Sequence, residues 1–74
     1  MVKFTFSHDG QEGTATCGRL KEYGGLWTIE HPSDSFEFAG SVLECKRMLR
    51  VRMAGVQTRP ADYGRGRYVG GPQR

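Results

Sequence analysis

The stretch SVLECKRMLRVRM, residues 41–53, decides how the rest of the chain must fold. At about 100° per residue, Val42, Cys45, Leu49 and Met53 share one helical face, flanked by Met48. Ser41 and Glu44 have the spacing of a capping box, in which each side chain bonds the other residue's main-chain amide. Such a cap contributes about 1 kcal/mol. Gly55 stands where a left-handed C-terminal cap would fall, so a helix is expected over 42–54.

A helix with one apolar face needs a surface to lie on. The preceding residues supply it. Val2, Phe4 and Phe6 alternate with Lys3, Thr5 and Ser7, the period of a half-buried strand. HDGQEG, residues 8–13, contains Asp-Gly and reads as a turn. TATCGRLKE, residues 14–22, resumes an extended pattern with Ala15 and Cys17 inward. Gly18 is placed to form a bulge that returns Leu20 inward. After the turn Tyr23-Gly24-Gly25, LWTIEH (26–31) reads as a third strand with Trp27 and Ile29 inward. Pro32-Ser33-Asp34-Ser35 ends it, and Phe36 and Phe38 about Glu37 suggest a short fourth strand.

Turns this short make neighbouring strands antiparallel. The expected fold class is therefore α+β: an antiparallel meander of three to four strands packed by one α-helix. The domain is expected over 1–55. A basic, Gly- and Arg-containing C-terminal tail follows over 56–74.

With 74 residues and 36% hydrophobic content, the core must be thin. A homodimer, or a partner that completes the core, would relieve this. Two cysteines, Cys17 and Cys45, are too few for a disulfide scaffold and read as reduced core residues. MVKFTFSH lacks the apolar run of a signal peptide, and no apolar run in the chain would span a bilayer. A cytoplasmic protein with no membrane partner is expected.

The charge is divided unevenly. Residues 1–44 hold three cations against seven carboxylates, a net of −4; residues 45–74 hold eight cations against Asp62, a net of +7. The division points to an acidic partner for the second half, or to the two halves folding onto each other. On the helix, Lys46, Arg47 and Arg50 form an arc on one flank of the apolar face, and Arg52 lies on the other. Glu44 is the one acid there. A merely solvated helix mixes signs at i, i+4, whereas Lys46 and Arg50 are a like-charge pair that costs a few tenths of a kcal/mol.

Further on, YGRGRY (63–68) resembles the arginine–glycine segments of RNA-binding tails. The resemblance implies that Arg65 and Arg67 fork onto phosphates while Tyr63 and Tyr68 stack on bases. With Arg59, the candidate binding set is Lys46, Arg47, Arg50, Arg59, Tyr63, Arg65, Arg67 and Tyr68. Leu43 lies amid the basic arc and Val51 points outward, so Leu43 is a candidate anchor for a protein interface.

Other sites read less well. A three-stranded sheet backed by a helix is similar to DNA-reading domains such as integrase arm-binding domains. Those need cations on the open sheet face, where this chain has Lys3, Thr5, Ser7, Thr14, Thr16, Thr28 and Glu30. His8, His31, Asp9 and Asp34 lie at turns and strand ends. No spacing matches a zinc site, and no glycine motif opens a helix. No catalytic residue, metal or cofactor is expected. The expected function is non-enzymatic binding of nucleic acid or an acidic protein surface. The alternative is a small protein-binding inhibitor or regulator. In length and in its one-helix, one-sheet plan, the chain resembles accessory proteins of phages and mobile elements, including anti-CRISPR proteins.

Overall fold

Residues 1–63 are described by a computed structural model. Five strands and one helix follow in the order β1 (Val2–His8), β2 (Gln11–Cys17), β3 (Gly25–His31), β4 (Asp34–Gly40), α1 (Val42–Arg52) and β5 (Gln57–Thr58). The strands form one antiparallel sheet in the order β4-β3-β2-β1-β5. The fold is a small α+β domain.

Each hairpin has a local cause. At Asp9-Gly10 both residues have positive φ (57° and 75°), the mirror-image turn whose twist matches the strands it joins. That turn sets Phe6 opposite Gly13, Phe4 opposite Ala15 and Val2 opposite Cys17. The pairing continues through Ile29 to Phe36 and through Trp27 to Phe38. One face of the sheet is thereby apolar, and α1 covers it with Cys45 and Leu49, followed by Met53 just past the helix end, all buried. Leu20 and Val56 close the margins. Phe4 and Trp27 meet at 5.5 Å between ring centroids, and the Trp27 indole N–H donates to the Gly40 carbonyl at 2.9 Å. Burying side chains of this size contributes about 1.5–3 kcal/mol each.

Four expectations are corrected. The sheet has five strands rather than three or four. The fifth, Gln57–Thr58, pairs with β1 inside the stretch read from sequence as tail. Its two residues are polar and too few to show a period, and its pairing is made by main-chain groups. Arg59 N–H donates to the Thr5 carbonyl at 2.9 Å, and Lys3 and Asp62 exchange bonds at 2.9 and 2.7 Å.

The second strand spans 11–17 instead of 14–22. It begins earlier because its first inward position is Gly13. A Cβ there would run into the Phe6 ring, which crosses over the glycine and stacks on His31 at 5.8 Å. Leu20 is buried from the loop beyond the strand, and Gly18 makes no bulge within it.

The fourth strand is longer than expected, at seven residues. The helix stops at Arg52, with Met53 already extended. Gly55 therefore does not cap it. With φ 74°, Gly55 takes the third position of the turn in which Val56 N–H reaches the Met53 carbonyl, and this turn sends the chain to β5.

Candidate binding surface

The surface begins at the capping box. Ser41 N–H donates to Glu44 Oε1 at 2.9 Å and Glu44 N–H donates to Ser41 Oγ at 3.1 Å. This starts the helix at Val42 and fixes which residues face the sheet. It also engages the only carboxylate on α1 with the helix's own backbone.

With Cys45, Leu49 and Met53 against the sheet, the helical period turns Leu43, Arg47, Arg50 and Val51 to solvent. All four are exposed, Leu43 at 55% and Val51 at 81%. Neither Arg47 nor Arg50 has an ion pair among the described residues.

The neighbouring cations are held. Lys46 is half-buried on the flank, with Nζ 5.2 Å from the centre of the Phe4 ring. Arg52 lies across Phe36 at 3.8 Å from its ring centre, and its guanidinium grips Asp34 through Nε (3.1 Å) and Nη2 (3.1 Å). Arg59 lies on the open face of the sheet, where Nη1 bonds Thr5 Oγ1 at 3.0 Å and Glu12 Oε2 at 2.9 Å. Tyr63 lies at the end of the described chain, next to Asp62, which bridges Lys3 on the β1 edge. Arg65, Arg67 and Tyr68 lie outside the described residues.

Of the sequence-derived set, the structure therefore brings Leu43, Arg47 and Arg50 onto one outward face with Lys46 at its margin. It places Arg59 elsewhere, on the opposite layer. Val51 completes the outward face. Its exposure follows from the same 100° period that places Leu43.

The remaining chemically capable side chains are built into the fold. His31 is buried at 6% exposure. Its Nδ1 accepts from Ser33 N–H at 3.0 Å, so Nε2 carries the proton and donates to the carbonyls of His8 (3.1 Å) and Gln11 (3.2 Å). His8 donates from Nδ1 to the Ala54 carbonyl at 3.0 Å, tying the first hairpin to the end of α1. Cys17 and Cys45 are both fully buried free thiols. Burial pushes the Cys45 thiol up to about 12 and also raises Cys17. Among the described residues, no three His, Cys, Asp or Glu side chains are grouped to hold a metal, and no helix is long and apolar enough to cross a membrane.

Compared with known families, characterised proteins and solved structures, the chain matches none.

Proposed function

We propose that this protein acts by binding, without catalysis, and that it engages an acidic partner through the outward face of α1. One observation carries the reading. Arg47 and Arg50 stand exposed on a helix whose single carboxylate is engaged in its own cap, with no ion pair among the described residues. Cations that neither pair nor support packing give no structural return for the repulsion between them. An anionic surface supplies what the fold does not. Lys46 adds a third charge at the margin. The guanidinium fork suits carboxylate and phosphate alike, so charge alone leaves the partner's class open.

The test uses two probes, a 20-base-pair DNA duplex and a poly-glutamate peptide. Binding to at least one is expected at low salt. With three phosphate contacts, log affinity for the duplex falls against log salt with a slope of about −3. The double change Arg47→Glu, Arg50→Glu is expected to abolish binding, while Lys21→Glu on the loop after β2 leaves it nearly intact. Binding that survives the double change would remove α1 from the proposal.

A further inference from the structure

Leu43, Arg47 and Val51 succeed one another at i, i+4 and i+8, so they form a single ridge about 12 Å long on the outside of α1. Arg50 lies beside the ridge, one turn beyond Arg47. Two apolar side chains, 55% and 81% exposed, thus bracket two guanidinium groups that have no ion pair among the described residues. We propose that this ridge docks an acidic amphipathic segment of another protein, with Leu43 and Val51 as the apolar anchors and Arg47 and Arg50 as the charged ones. The proposal rests on the reading of α1 as the face that meets an acidic partner, and it names the class of that partner.

The chemistry separates a protein from a nucleic acid. Phosphates gain from the two arginines but nothing from Leu43 or Val51. A groove-reading helix carries polar side chains where this ridge carries leucine and valine, and bases need aromatic platforms that the ridge lacks. An apolar side chain on the partner gains from both. Fully burying a leucine or a valine contributes about 1.5–3 kcal/mol each. Val51 is also β-branched, a type that lowers helix propensity, and at 81% exposure no core packing offsets that cost. The charges between the anchors select the sign of what approaches. A segment with carboxylates flanking a leucine stripe matches both features, and a cationic amphipathic helix is repelled.

The discriminating experiment measures fluorescence anisotropy with three probes against the full chain. One is an 18-residue helical peptide with a leucine stripe at i, i+4, i+7 and glutamate elsewhere. The second is poly-glutamate of equal charge, and the third is a DNA duplex. The leucine–glutamate peptide is expected to bind most tightly. The double change Leu43→Ser, Val51→Ser should weaken it by about ten-fold or more while leaving poly-glutamate binding within about two-fold. Both positions are solvent-exposed, and an unchanged thermal midpoint confirms that the variant is folded. If the two peptides bind equally and the serine variant changes nothing, the anchors are refuted while the acidic-partner reading stands. Tighter binding of the duplex than of either peptide refutes the anchors in the same way. If no probe binds, both readings fall.

Discussion

Arg50 and Arg52 stand two residues apart on α1 and meet different surroundings. Arg52 lies on Phe36 and grips Asp34. Arg50 faces solvent without an ion pair among the described residues. The difference comes from what the β3–β4 hairpin delivers. Its turn at Pro32-Ser33 places Asp34 at the start of β4, within reach of Arg52 at the end of the helix. A count of cations is thus a poor measure of a binding surface. Of the five lysines and arginines between residues 45 and 63, the fold uses Lys46, Arg52 and Arg59 and leaves Arg47 and Arg50.

The contrast between the two sides of α1 is sharpest for leucine. Leu49→Ala empties a site that is fully buried and is expected to destabilise by about 2–5 kcal/mol in urea unfolding. Leu43→Ala, on the outside, should stay within about 0.5 kcal/mol of the parent. Similar losses at the two positions would show that the helix is seated on the sheet by another face.

Next in size is His31, the polar group on the covered face. His31→Leu removes the N–H shared by the carbonyls of His8 and Gln11 and also the ring nitrogen that accepts from Ser33 N–H. An unfolding free energy lower by about 1–3 kcal/mol is expected. If the leucine variant matches the parent, the histidine is not the internal tie that its hydrogen bonds describe.

Cys45 gives a pH-dependent version of the same contrast. Its thiol is raised from 9.0 to about 12 by burial, so the folded state holds the proton where the unfolded state releases it. The neutral thiol costs nothing below pH 9. Above it, stability attributable to Cys45 falls by up to about 1.4 kcal/mol per pH unit until the folded thiol ionises. Comparing the alkaline limb of the stability curve with that of Cys45→Ala isolates the effect, because Lys and Tyr titrations are common to both. Parallel limbs would refute it.

Much of this arrangement was legible in the residue pattern, and the failures have physical reasons. Alternation alone places Val2, Phe4, Phe6, Trp27 and Ile29, and Ser41 with Glu44 marks the helix start. The beginning of β2 was hidden because its inward position is a glycine roofed by its neighbour's Phe6 ring, so no apolar residue marks it. β5 was hidden because main-chain bonds hold it. On α1 the helical period is enough to turn Leu43, Arg47 and Arg50 outward. It cannot say which cation meets a carboxylate, because Arg52 finds Asp34 across 18 positions and Arg59 finds Glu12 across β1 on the open face of the sheet. Pairing of that kind is a property of register, which is settled only when the whole sheet is assembled.

The smallest expected effect tests the opening comparison directly. Arg52→Met removes a two-pronged contact with Asp34 and the stacking on Phe36 while keeping the aliphatic stem. Both partners remain partly solvated, which limits the loss to about 1 kcal/mol. Arg50→Met removes no ion pair seen among the described residues and relieves the repulsion from Lys46, so it is expected to be neutral or stabilising by a few tenths of a kcal/mol. The two responses also differ in salt. The Arg52 loss should shrink toward 1 M sodium chloride as the ion pair is screened, and the small gain at Arg50 should vanish with it. Equal losses at both positions would mean that Arg50 has a partner within the chain. The free charge on which the outward face of α1 depends would then already be neutralised.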